Sequence, residues 1–255
     1  MNKWLKNSYM GLIYFFLYCP IAIVILLSFN NTRYSLIWHG FTLNWYNTLF
    51  ADTDIITVTF HSLTIGFIAS TVATLLGLTA TISLFRYRFF GKQLLSGLIF
   101  ILIITPDIVI GIALLLFYNT LHLPLGFWSL LFAHISFCLP FVVVVTTSRI
   151  NTLDKHLFEA AKDLGATEFT IFKKIIIPLM LPAIIASWLI SFTLSIDDVI
   201  ISYFVSGPNY SILPLKIYSM VRLGIKPEVN ALSTILFIFT LIMVLLTQFA
   251  LRKKQ

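Results

Sequence analysis

Asp107, Asp197 and Asp198 stand inside long apolar tracts, whereas the other acids, Asp52, Asp54, Asp154, Glu159, Asp163, Glu168 and Glu228, fall in more polar segments. A charge at the centre of a bilayer costs about 2.5–3.5 kcal/mol on insertion scales, so such a residue is expected to face a partner or a watery cavity. No Lys or Arg lies in the same tracts. The missing countercharge must come from elsewhere, or the acids must be protonated. A cation in transit meets the first requirement directly.

The neighbours of these acids sharpen the reading. Asp107 follows Pro106, whose ring removes a backbone donor and bends or opens a helix. Interrupted helices at mid-membrane are where transport sites are built. Ser187, Ser191, Ser195, Asp198 and Ser202 recur at helical spacing and share one face. Asp197 is rotated by about 100° from Asp198 in a regular helix, so one of the pair is structural unless the helix unwinds. The serine face fits either a wet pathway or a seam of small residues against another helix. Asp107, Asp197, Asp198, Ser195 and Ser191 are accordingly the candidate substrate-pathway residues.

Other chemistry-bearing residues read as structural. His61 and His134 have no second metal ligand near them in sequence, which suits satisfied interior histidines. Ser62, Gly66, Ser70, Ala73 and Gly77 form a stripe suited to close helix packing. Cys19 and Cys138 lie in apolar runs and make neither a disulfide framework nor a C-x-x-C pair. Trp188, Tyr203 and Phe204 are able to contact a cation, and equally to sit at a membrane surface without one. No G-x-x-x-x-G-K-[ST] loop is present, so no ATP or Mg site is expected in this chain and no cofactor is called for.

The elements that position these residues follow from composition. Of 255 residues, 59% are hydrophobic and 11% charged, about half the charge of an ordinary soluble domain, which excludes a soluble fold. Six stretches of about 20 or more mostly apolar residues stand near 9–29, 57–84, 94–118, 127–147, 179–204 and 231–251. The first is too long for a signal-peptide core and is expected to remain as a span. The fold class is therefore all-α integral membrane, with six transmembrane helices in a single transmembrane domain over 1–255.

With six spans both termini share a side, and basic residues choose it. Lys3, Lys6, Arg86, Arg88, Lys92, Arg149, Lys155, Lys162, Lys173, Lys174, Arg252, Lys253 and Lys254 lie on one side; Arg33, Lys216, Arg222 and Lys226 lie on the other. Both termini are read as cytoplasmic. The same asymmetry accounts for the formal charge of +7 without a nucleic-acid partner.

Two loops carry more order than a connector needs. In the cytoplasmic segment 148–178, Leu157, Phe158, Ala161 and Leu164 share one face of a short helix, and Lys155, Glu159, Lys162 and Asp163 the other. Gly165 is placed to end that helix in a left-handed cap, and Thr167 to start a second with Lys173 and Lys174 near its end and Pro178 beyond. In the external segment 205–230, Pro214 suits a helix start and Gly224 a helix end. That segment suits contact with an external partner, and equally packing on the outer surface of the chain itself.

Glu159-Ala160-Ala161, Gly165 four residues on, and Ile175-Ile176-Ile177-Pro178 resemble the EAA signature (EAA-x3-G-x9-I-x-L-P) of ATP-binding-cassette importer permeases. Ile177 departs from the usual Leu, a volume-conserving change. The tracts TPDIVIGIALL (105–115), LGFWSLLFAHISFCLPFVVV (125–144), SFTLSIDDVIISYFVSGP (191–208) and SILPLKIYSMVRLG (211–224) extend the likeness to permeases of spermidine/putrescine importers over essentially the whole chain.

The resemblance implies a type I (MetI-like) importer fold in a bacterial inner membrane. It implies Glu159, Ala160, Ala161, Gly165, Ile175 and Pro178 as the ATPase-coupling residues and a polyamine as substrate. It also implies three partners: a homologous permease (PotB-like), an ATPase dimer (PotA-like) that binds ATP and Mg, and a periplasmic polyamine-binding protein (PotD-like). A permease for another cationic solute stays open. An intramembrane aspartyl hydrolase or a cation channel would leave the EAA loop without a purpose.

Overall fold

The computed structural model describes residues 3–32, 37–154, 156–223 and 227–252. Arg33, Lys155, Gly224, Lys226, Lys253 and Lys254, invoked above for topology or capping, lie outside the described residues, as do the side chains of Lys3, Phe158 and Arg252. The helices in chain order are α1 Lys3–Ser28, α2 Asn44–Ala51, α3 Thr53–Arg86, α4 Lys92–Ile104, α5 Asp107–Thr120, α6 Phe127–Ile150, α7 His156–Asp163, α8 Glu168–Ile171, α9 Ile177–Asp197, α10 Ile200–Val205, α11 Leu213–Arg222 and α12 Pro227–Arg252. Among the described residues the only β structure is two isolated bridges. The fold is all-α.

Among the described residues four helical runs are long and apolar enough to cross a bilayer: Lys6–Ser28, Thr53–Arg86, Phe127–Ile150 and Glu168–Asp197. The third expected span, with Pro106 as its bend, is two helices, α4 and α5, set at 115°. The cause is local. Pro106 has no N–H to continue α4, and Thr105 before it takes the extended backbone (φ −69°, ψ 130°) that a following proline favours.

The fifth expected span is also interrupted. α9 ends at Asp197 and α10 begins at Ile200, with Asp198 extended between them (φ −69°, ψ 121°). At its other end this span runs further than expected. Pro178 does not stop the preceding helix, because a π turn over Phe172–Ile176 joins α8 to α9, and the Ile177 N–H reaches back five residues to the Phe172 carbonyl. The wider turn absorbs the missing proline donor.

The chain divides into two compact units, 1–56 with 217–255, and 57–216. In the first, α12 packs on α1 and α2. The segment before α2 is organised by buried Asn30, whose Nδ2 donates to the Ile37 carbonyl at 2.9 Å and whose Oδ1 accepts from the His39 N–H at 2.8 Å. The Trp45 indole donates to the Asn30 carbonyl at 2.8 Å. At eight residues, α2 is too short to have declared itself by periodicity.

In the second unit α6 is the central element. It packs along α9 and against α4 and α10, while α10 lies on α5. One core joins Ile65, Ile110, Tyr118, Leu130, Ile201 and Val205, and another joins Leu78, Ile82, Ile150, Ile171, Ile176 and Met180.

Candidate functional site

Two places in the second unit gather the residues singled out by sequence. The first lies where α5 meets α10. Gly111, one turn into α5, sits so close to α10 that a Cβ there would stand 2.7 Å from Phe204 and 3.4 Å from the Ile201 Cα. Asp107 opens α5, four residues before Gly111, and Asp198 lies three residues before Ile201. At 1.5 Å per residue Asp107 is about 6 Å along α5 from Gly111, and Asp198 is tied directly to Ile201, whose N–H its Oδ1 accepts at 3.1 Å. Both helix interruptions, each with its aspartate, are thereby brought to one locality.

The acids there have different surroundings. Asp107 is half-buried at the start of α5, where the helix dipole favours negative charge. Asp198 is buried and its carboxylate is fully engaged by α10. Oδ1 accepts from the Ile201 N–H at 3.1 Å, and Oδ2 from the Ser202 N–H at 2.8 Å and the Ser202 hydroxyl at 2.7 Å. His134 Nε2 stands 3.7 Å from Oδ2. Asp197 is exposed. Of the adjacent acids, Asp198 caps a helix and Asp197 is the one left facing outward.

The serine face turns inward. Ser187, Ser191, Ser195 and Ser202 are all buried within this unit. His134 of α6 meets Ser195 Oγ at 2.6 Å and Ser202 Oγ at 2.9 Å, and Cys138 Sγ donates to the Ser191 carbonyl at 3.4 Å. Ser191 Oγ is buried with no hydrogen-bond partner among the described residues. Of the two readings open for Ser191 and Ser195, the geometry is that of a seam against α6, because small side chains let the two helices approach. His61 is satisfied too: Nδ1 lies 3.0 Å from the Ser211 carbonyl and the ring stacks on Tyr210 at 3.9 Å. No cluster of potential metal ligands occurs among the described residues.

The second place is the α7–α8 pair. Gly165 adopts φ +79°, its N–H donates to the Lys162 carbonyl at 2.8 Å, and the Ala166 N–H reaches the Ala161 carbonyl at 3.0 Å. That pair of bonds is a Schellman cap, with a residue in the left-handed region at its glycine position. It gives the Ala-x3-Gly spacing a physical meaning: Ala161 supplies the acceptor three positions before the helix ends, and Gly165 the conformation that closes the cap. Ala161 and Ala166 then both pack against the core around Ile150, Ile171 and Ile176. Glu159 and Ala160 remain exposed.

Thr167 starts α8, its Oγ1 accepting from the Thr170 N–H at 3.3 Å. Glu168 in that first turn is gripped by Lys162 of α7 at 3.0 Å and by Arg86 at the end of α3. The hydrogen bond from Lys162, with the Arg86 guanidinium beside it, holds the Glu168 carboxyl below the usual carboxylate range. The three charges tie the loop to the membrane helices. Arg86 and Lys162, with Glu159, also line a cavity of about 180 Å³ whose apolar walls are Ile82, Phe85, Ile150 and Ile176. Ile175, half-buried, lies in the π turn, and Pro178 in the first turn of α9.

Residues 73–252, which include both places, match the family described as "Binding-protein-dependent transport system inner membrane component". The chain belongs to this family. The permease is 51% identical over 254 residues, all of its own length and 96% of the relative's, to the spermidine/putrescine transport system permease protein PotC of Escherichia coli K12. It is likewise 51% identical to the protein of that name from Haemophilus influenzae, covering 98% of each chain. It is 39% identical to the putrescine transport system permease protein PotI of E. coli, over 87% of this chain and 81% of that one.

Among solved structures, a bacterial ABC transporter involved in alginate import matches with a TM-score of 0.75 at 15% identity, over 98% of the permease and 94% of that chain. The MetNI methionine transporter matches with a TM-score of 0.63 at 19% identity, over 77% and 92%. The permease thus has the fold of type I ABC importer permeases, and as a member of its family it is a membrane component of a transport system that works with a binding protein.

Proposed function

We propose that this chain is the permease subunit of an ATP-driven polyamine importer in a bacterial inner membrane. The observation that carries the reading is the 51% identity across the whole chain to relatives named for spermidine and putrescine transport. The chain forms one six-span permease domain with both termini cytoplasmic. It pairs with a homologous PotB-like permease, takes substrate from a PotD-like binding protein and contributes no catalytic group. ATP and Mg are bound by the PotA-like ATPase dimer. The exposed Glu159 and Ala160, presented by the capped α7 with Ala161, Gly165, Ile175 and Pro178 behind them, dock that ATPase.

Asp107 and Asp197 supply the negative potential that a polycation needs to leave water. Asp107 is half-buried at a helix interruption and Asp197 exposed beside another. Ser191, Ser195 and Asp198 support the path from behind. One carboxylate at a time keeps binding weak enough for release.

The test is uptake of radiolabelled spermidine and putrescine by a strain lacking polyamine import, carrying this chain with its partners. Asp107→Asn and Asp197→Asn should each cut uptake at least several-fold with the complex still assembled. Wild-type import by both variants, correctly assembled, would sink the pathway role of the acids.

A further inference from the structure

One imidazole on α6 holds both sides of the α9/α10 interruption. His134 is 1% exposed. Its Nδ1 lies 2.6 Å from Ser195 Oγ in the last turn of α9, and its Nε2 lies 2.9 Å from Ser202 Oγ in α10. The Ser202 hydroxyl has a single proton and gives it to Asp198 Oδ2 at 2.7 Å. Ser202 Oγ therefore accepts from His134, and the imidazole hydrogen is on Nε2. Nδ1 is then a bare acceptor for the Ser195 hydroxyl. This tautomer is assigned from donor and acceptor counting. It leaves every hydrogen in the series Ser195, His134, Ser202, Asp198 pointing toward the carboxylate, an arrangement in which each bond polarises the next.

The same helix fastens the outer ends. The Ser129 hydroxyl donates to the Val205 carbonyl at the end of α10 at 2.7 Å, and Cys138 Sγ reaches the Ser191 carbonyl in α9. Asp198, already served by two backbone donors and a hydroxyl, is turned inward, and the next residue back, Asp197, faces outward.

We propose that His134 is a positioning residue for the translocation site: by joining Ser195 of α9 to Ser202 of α10 it sets the angle of the interruption, and with it the stance of the Asp197 carboxylate. The inference rests on the pathway reading of Asp197, but the geometry it asserts is measurable without transport.

The experiment uses the assembled transporter in a Cys19→Ser background, with a thiol reporter introduced by Ile200→Cys beside the break, at a position 45% exposed. His134→Leu removes both bonds, and His134→Gln restores an acceptor and a donor. The Leu variant should change the maleimide labelling rate of the reporter at least fivefold and raise the apparent KM for spermidine at least threefold. Maximal rate should change less than KM. The Gln variant should return both readouts to within twofold of wild type. Unchanged labelling in the Leu variant, or equal impairment of Leu and Gln, overturns the proposal. Should the Leu variant fail to assemble, Ser202→Ala takes its place, and unaltered labelling in that variant also overturns it. If Asp197→Asn leaves uptake untouched, the pathway reading falls while the labelling still decides the role of His134.

Discussion

Gly165 offers a clean separation of backbone conformation from bulk. Its φ is +79°, and a Cβ added there would meet no heavy atom within 4 Å. Whatever a side chain costs at this position is therefore the cost of the left-handed backbone, about 1–2 kcal/mol for an ordinary L-residue and more for a β-branched one. That compares with about 1 kcal/mol net for each of the two cap bonds it closes. At the upper value, Gly165→Val lowers the ratio of capped to uncapped loop by roughly 30-fold, and Gly165→Ala at the lower value by roughly 5-fold. Gly165→Asn should remain near wild type, because Asn visits this region readily. The assay is the yield of ATPase co-purified with the tagged chain, alongside spermidine uptake. The expected order is Gly, Asn, Ala, Val. Normal yield and uptake in the Val variant would refute the argument. So would an Asn variant as poor as Val, because bulk and not backbone would then be at fault.

Three further outcomes follow from the packing. Gly111→Val should lower the melting temperature of the detergent-solubilised chain, at a cost of about 1–3 kcal/mol, because a branched side chain is driven into Phe204 and the Ile201 backbone; an unchanged melt would contradict the close approach. Asp198→Ala, which deprives two backbone N–H groups and a buried hydroxyl of their acceptor, should cost about 1–3 kcal/mol by the same measurement, whereas Asp197→Ala should leave the melt within experimental error. Because the Glu168 carboxyl is held below its usual range, its ion pairs are fully formed above the ordinary carboxylate pKa and lost as pH falls through the depressed value. Protease protection of residues 156–171 at pH 5 should therefore match that at pH 7, and Glu168→Gln should reduce it modestly at both.

The α7–α8 loop was legible in the sequence because its determinants are local: an amphipathic turn, a glycine where a left-handed residue is needed, and a threonine before the next helix. The bend at Thr105–Pro106 was legible for the same reason, although its size was not. The break after Asp197 has neither proline nor glycine in Ser195–Ile201 to announce it. Its local part is Asp198, a helix-capping type whose carboxylate accepts from the Ile201 and Ser202 N–H groups just ahead; the rest is tertiary, since His134 reaches Ser195 from 61 residues earlier. The serine periodicity correctly marked a single face, but periodicity cannot say whether a face meets water or another helix. The seam became visible only with α6 alongside.

The π turn at Phe172–Ile176 has a mechanical consequence. From Glu168 to Asp197 the chain is one unbroken helical run of 30 residues, about 45 Å of lever from the ion-paired loop to the edge of the interruption. A π turn inserts one residue into the helical winding, so everything on its loop side is rotated by about 100° relative to a plain α-helix. Deleting a single residue there would keep the lever's length almost unchanged while spinning Glu168 away from Arg86 and Lys162. The phase between the two ends of the lever, rather than its reach, is what this widened turn sets.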